Sequence, residues 1–295
     1  MNERKLFVDF GKTVAIIAVL VDHTYNVFYS NQDISILSWF SVSLFIMLSG
    51  ITLWNSNEKH IKDFICNGGN NCYSVLKNLT YSRIKKIIVP YVIAVAVYQI
   101  VECGMFNFLP WLKFCVYFNI SGPFYYVSLY VQLLLVSSII YLLIKRIERI
   151  EKQNIRIIAW LFLTLVILMV GKWTTNHSVV MDIYGGGGVV FGGTYLIAFY
   201  VGMIFAKTAK KYKSRTCCSA HLLGLFICCL VWCGFILKYR ITLDRYLGFG
   251  YGVNPPSISL LLLAFIILSM IYTFFELLEN YKLNFPSRYF QIKTE

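Results

Sequence analysis

Eight long apolar runs, separated by short basic segments, set the outer limits of what this chain can fold into. They lie at roughly residues 7–29, 34–55, 87–105, 122–144, 157–174, 190–206, 218–237 and 258–278. A run of about 18 or more apolar residues is long enough to cross the hydrocarbon core of a bilayer as a helix. In lipid the backbone must satisfy its own hydrogen bonds, which leaves helices or closed barrels. The expected fold is therefore all-α: a polytopic transmembrane helix bundle of about eight spans. The third, fifth and sixth runs are short for a full crossing. Composition excludes one large soluble core: 58% of residues are hydrophobic and only 14% charged, against about 25% charged in a soluble domain.

The basic residues orient this bundle. Two precede the first run, six lie in 56–86, five in 145–156, five in 207–217 and three after 278. All 21 fall on one side, whereas the other side holds Lys113, Lys172, Lys238, Arg240 and Arg245. Lysine and arginine are retained on the cytoplasmic side, so both termini are expected in the cytoplasm. The same distribution argues against nucleic acid as the partner of the +13 net charge, since no basic helix interleaved with aromatics is present. The expected partner is the lipid bilayer, and the expected location a multi-pass protein of the inner (plasma) membrane.

Smaller features add little chemistry. The stretch 106–121, FNFLPWLKFCVYFNIS, is interrupted by Pro110 and Lys113 and reads as an interfacial or re-entrant segment. Cysteines come as adjacent pairs (Cys217–Cys218, Cys228–Cys229) or within apolar runs, and Cys66 and Cys72 are too widely spaced for a zinc knuckle. No metal and no disulfide framework is expected. GGGG at 185–188 lacks the Lys and Ser/Thr of a phosphate-cradling loop and reads as a turn. No 20–50-residue period repeats, and the first run reads as an anchor rather than a cleaved leader.

The first run, FVDFGKTVAIIAVLVDHTYNVF, carries the costliest residues. A charge near the bilayer centre costs about 2.5–3.5 kcal/mol on insertion scales and usually marks function. Asp9 and Lys12 are three apart and can pair on one helix face. Lys12 and His23 are eleven apart, which places them about 20° apart around a helix and about 16 Å along it. Asp9, Lys12 and His23 therefore form one stripe, while Asp22 points about 100° away and can orient His23 only indirectly. Singly, Asp9 and Lys12 read equally as interface anchors; the three together favour function, with His23 a competent general base near neutral pH. In YSRIKKIIVPY, Arg83 and Lys86 are three apart just before the third run. They suit either positive-inside flanking or a phosphate-bearing ligand.

These segments together resemble the acyltransferase-3 family of membrane acyltransferases, which includes bacterial polysaccharide and peptidoglycan O-acetylases. FVDFGKTVAIIAVLVDH is similar to the family's opening helix, whose basic residue and later histidine fall on Lys12 and His23. SLFIMLSGITL resembles its second span at Phe45, Ser49 and Gly50, and RIKKIIVPY its RxxR motif at Arg83 and Lys86. GPFYYVSLYVQLLL resembles its fourth span, and GTYLIAFYVGMIFAK a later one. The likeness covers most of residues 5–206 and is weaker beyond. Lysine stands where the family more usually has arginine at 12 and 86, which keeps the charge and loses the bidentate fork. Family members usually have about ten spans, with a late segment that should begin near FPSRYFQIKTE. A single domain over 1–295, short at its C-terminus, is therefore expected.

The resemblance implies transfer of an acyl group, chiefly acetyl, from cytoplasmic acetyl-CoA or another acyl-CoA to a hydroxyl of a lipid-linked or cell-surface glycan. It implies His23 as catalytic base, Lys12 and Asp9 beside it at the bundle entry, and Arg83 and Lys86 on the donor's phosphates. The alternatives are a transporter of a small polar or anionic solute, which intramembrane charges also suit, and an inactive truncated acyltransferase relative. The orientation has a direct check. A reporter enzyme that matures only outside the cytoplasm should be active when fused after residue 120 and inactive when fused after residue 150.

Overall fold

The computed structural model describes residues 6–28, 32–66, 72–117, 125–176, 193–209, 215–239 and 257–280. All of the regular structure among them is helical: α1 (Leu6–Phe28), α2 (Gln32–Ser38), α3 (Phe40–Cys66), α4 (Cys72–Cys103), α5 (Phe108–Tyr117), α6 (Tyr125–Glu148), α7 (Gln153–Asn176), α8 (Thr194–Thr208), α9 (Arg215–Tyr239) and α10 (Ile258–Asn280). The GGGG turn lies outside the described residues.

Six helices among the described residues have the length and hydropathy to cross a membrane. The segment containing α2 and α3, then α4, α6, α7, α9 and α10, supply them. The other two expected spans are α1, long enough at 23 residues but bearing Asp9, Lys12 and Asp22, and α8, which has 15 residues. Their outer faces are apolar: Ile158, Leu161, Phe162 and Leu165 of α7 and Leu223, Leu230 and Val231 of α9 are all exposed. A face of that kind is stable against acyl chains and not against water.

One stretch departs from the hydropathy reading. Residues 56–86, expected as a cytoplasmic loop, are mostly helix, because α3 runs on to Cys66 and α4 begins at Cys72. Hydropathy detects only the length of helix that lies in lipid, and these helices continue past it with polar side chains. The interrupted stretch 106–121 contains the ten-residue α5, about 15 Å long and too short to cross. It folds back along α4. Gly104, at φ +71°, closes the C-terminus of α4 in the left-handed conformation that glycine tolerates. Trp111 Nε1 then donates to the Val92 carbonyl (3.2 Å) and Tyr91 Oη to the Phe114 carbonyl (3.0 Å).

The chain forms two compact units. The first comprises Met1–Phe45, Thr208–Arg240 and Ser259–Glu295, and the second Ile46–Lys207 and Ile241–Ile258. In the first, Phe7 and Phe10 of α1 pack on Tyr272 and Phe275 of α10, with ring centroids 5.4 and 5.6 Å apart. Ile36 of α2 packs with Ile236 of α9 and Leu263 of α10. Trp232 Nε1 donates to the Ser259 carbonyl across α9 and α10 at 2.9 Å.

The second unit is built on α3, whose Ile46, Met47, Leu48 and Ile51 are essentially inaccessible. Close approach is set by glycine. A Cβ on Gly202 of α8 would fall inside van der Waals contact of the Met47 carbonyl oxygen, and one on Gly50 of α3 inside that of the Phe199 carbonyl oxygen. Reciprocal small-residue contacts of this kind replace the hydrophobic driving force that lipid cannot supply. Gly202→Ala should therefore push α3 and α8 apart and cost about 1–3 kcal/mol. A lowered thermal midpoint of the detergent-solubilised protein is the measurement, and an unchanged midpoint would show that the backbones do not meet there.

Candidate functional site

In the first unit, α1 carries Asp9 and Lys12 half-buried and His23 exposed. The residue the structure ties down is the neighbour of His23. Asp22 Oδ1 accepts hydrogen bonds from Ser35 Oγ (2.8 Å) and from Trp39 Nε1 (2.9 Å). Ser35 lies in α2 and Trp39 one residue past its end, so one carboxylate oxygen fastens α2 against α1. The indole also approaches Ser35 Oγ at 3.2 Å. Asp22 thus serves as the anchor that sets α2 beside the His23 turn, a role that spacing along α1 alone did not indicate.

In the second unit, polar groups from three of the family-like segments are linked to one another. Arg83 of α4 reaches back to α3, where Nη1 donates to Asn57 Oδ1 (2.9 Å) and Nη2 to Ser56 Oγ (2.8 Å). It also lies within the electrostatic reach of the Tyr130 hydroxyl, which hydrogen-bonds Ser49 of α3. Ser49, Arg83 and Tyr130 come from SLFIMLSG, RIKK and GPFYYVSLY, so three separate stretches are linked through Tyr130, to Ser49 by a hydrogen bond and to Arg83 by electrostatics. Lys86 does not join them: it is exposed, as is Lys85. Of the five residues expected to act, Asp9, Lys12 and His23 lie in one unit and Arg83 and Lys86 in the other.

A separate charged chain links α3, α6 and α8. Lys145 Nζ of α6 lies 2.5 Å from Glu58 Oε1 of α3 and 3.1 Å from Glu148 Oε2, and Lys207 Nζ of α8 lies 3.1 Å from Glu148 Oε1. Tyr141 Oη donates to Glu58 Oε1 at 2.9 Å. Lys145 also sits over the Trp54 ring (5.1 Å to its centroid), and Lys207 over that of Trp160 (3.9 Å). All four charged side chains are a third or less exposed, so each charge is largely neutralised by its neighbours. The sequence reading missed this chain. The i,i+3 pair Lys145 and Glu148 on one face of α6 was the available signal, but only folding supplies Glu58 and Lys207. Among the described residues no group of His, Cys, Asp and Glu gathers to hold a metal.

Apolar helices long enough to span, with charged groups buried among their ends, make this an integral membrane protein with an internal polar site. The chain belongs to the acyltransferase-3 family, described as an acyltransferase domain, whose profile matches residues 5–289. The match reaches well beyond the segments that carry the resemblance in the sequence. No curated protein and no solved structure matches the chain.

The ion chain makes a quantitative prediction. Neighbouring charges in one network couple by about 0.5–3 kcal/mol. Lys145→Met and Glu58→Gln should each destabilise the protein, and together by less than the sum, in a double-mutant cycle read from unfolding in detergent. Strict additivity would show that the pair does not form.

Proposed function

We propose that this protein is a membrane acyltransferase that carries an acyl group, acetyl in the simplest case, from cytoplasmic acyl-CoA to a hydroxyl of a lipid-linked or cell-surface glycan. Membership of the acyltransferase family supports acyl transfer. The observation that carries the donor side of the proposal is the Arg83 guanidinium of α4, half-buried and held by the neutral Ser56 and Asn57 of α3. A guanidinium among neutral partners at the lysine-rich end of a membrane bundle suits the phosphates of a CoA ester. Lys86, exposed one turn along α4, adds a positive charge at its approach. A glycan acceptor and an inner-membrane location follow from the resemblance and from the multi-pass topology.

In the reaction, His23 takes the proton of the acceptor hydroxyl as that oxygen attacks the thioester carbonyl carbon. The tetrahedral adduct collapses with cleavage of the carbon–sulfur bond, and the CoA thiolate recovers the proton from the imidazolium. Products are the ester and free CoA, so atoms and charge balance without another reactant. Asp22, held by Ser35 and Trp39, fixes the turn of α1 that presents the imidazole. Lys12 and Asp9, half-buried on the same stripe, supply a polar face along the rest of α1.

General-base catalysis contributes about 10²–10⁴-fold. His23→Ala should lower acyl transfer by that factor in membranes supplied with acyl-labelled acyl-CoA, with mass spectrometry of the surface glycans as the readout. Transfer at the parental rate would remove His23 from the mechanism. No labelled glycan from the parental protein would overturn the acceptor assignment.

A further inference from the structure

The charged groups of the second unit differ in one respect. Lys145 and Lys207 are matched by Glu58 and Glu148, whereas Arg83 donates to Ser56 and Asn57, both neutral, with the Tyr130 hydroxyl within electrostatic reach, and no carboxylate pairs with it among the described residues. A half-buried guanidinium without a counter-ion is expensive in a medium of low dielectric, and it invites an anion. Arg83 has five N–H groups, and Ser56 and Asn57 take one each.

Asn57 completes the pattern. It is wholly inaccessible. A guanidinium only donates, so the amide atom facing Arg83 must be the oxygen, and the assignment of the two amide atoms is unambiguous. The amide nitrogen is then a buried donor, and it has no hydrogen-bond partner among the described residues. Leaving such a donor unpaired costs about 1–3 kcal/mol. It sits one amide carbon from the oxygen that Arg83 grips, so a small shift of the Asn57 side chain would bring it against an oxygen group seated on that guanidinium. Both kinds of group point to the same ligand chemistry: an anionic moiety rich in acceptor oxygens and without donors.

We propose that Asn57 Nδ2 and Arg83 together form a donor pair for the pyrophosphate oxygens of the acyl-CoA, with Asn57 as a ligand-binding residue of that site. This rests on the acyl-CoA reading above and adds a residue to it. Asn57 has two tasks. Its oxygen holds the guanidinium in place, and its nitrogen supplies a short-range bond that depends on the position of the phosphate. Lys86, by contrast, contributes charge from the exposed face of α4 and no fixed geometry.

The test uses the full chain purified in detergent. Dissociation constants for radiolabelled acetyl-CoA are measured for the parent, Asn57→Asp and Asn57→Leu, with inorganic pyrophosphate as competitor. Asn57→Asp keeps an acceptor for Arg83, so its thermal midpoint should not fall; it removes the donor. Asn57→Leu removes the donor without adding charge. Both should bind acetyl-CoA about 10-fold or more weakly, as expected for loss of a hydrogen bond to a charged group, and pyrophosphate should compete about 10-fold less well in both. Equal acetyl-CoA affinity in parent and both variants would overturn the role of Asn57 and leave the acyltransferase reading standing. Weaker acetyl-CoA binding with undiminished competition by pyrophosphate would overturn the assignment to the phosphates. A parental protein that binds no acetyl-CoA would overturn both this inference and the donor on which it rests.

Discussion

Because Gly202 has no side chain, the backbone of α8 lies against the Met47 carbonyl of α3, and Gly50 makes the reciprocal approach to Phe199. Lipid gives helices no reason to expel it, so association depends on how closely backbones can pack and on the polar bonds that closeness permits. Once α3 is held in this way, its C-terminal turns are positioned for everything else in the second unit. Glu58 reaches Lys145 and Tyr141 of α6, and Ser56 and Asn57 receive Arg83 of α4. Lys207, five residues beyond Gly202 on α8, meets Glu148. A separation of α3 from α8 would therefore reach the polar site through these bonds.

The two units use buried polarity differently. In the first, a single carboxylate, Asp22, accepts from Ser35 of α2 and from Trp39 just beyond it, and so converts a neighbouring short helix into part of the α1 surface next to His23. In the second, charges are distributed over α3, α4, α6 and α8. The Glu58–Lys145–Glu148–Lys207 chain is internally balanced and suits a structural role. Arg83 and the amide nitrogen of Asn57 are not balanced by protein groups in the same way. That contrast separates groups that hold the bundle together from groups suited to hold a ligand.

Much of this was legible in the sequence, for identifiable reasons. Apolar runs of spanning length announce helices because lipid allows the backbone few other states. Most helix interiors were accordingly located, and so was the short stretch 106–121, where Pro110 and Lys113 break the run and α5 forms. The family was legible through Lys12 and His23, Ser49 and Gly50, and Arg83, as residue types at characteristic places. The extent of α3 and α4 was not. Their polar turns beyond the bilayer look like a loop to any reading based on hydropathy, and Ser56, Asn57 and Glu58 lie in that region. Arg83 was singled out with Lys86 on spacing. In the fold it turns instead to Asn57, 26 positions earlier, a pairing that no local periodicity encodes.

By itself the sequence determined that the chain is an all-helical membrane protein of the acyltransferase-3 kind, with costly polar residues on its first helix. That follows from the price of exposing peptide groups and charges to hydrocarbon, which is local and can be read residue by residue. Only the tertiary structure decided which polar residues satisfy one another: that Asp22 holds α2, that Lys145 and Lys207 are neutralised, and that Arg83 and Asn57 share one site. Such pairings depend on the close approach of helices distant in sequence, and at Gly50 and Gly202 that approach is set by side chains that are missing.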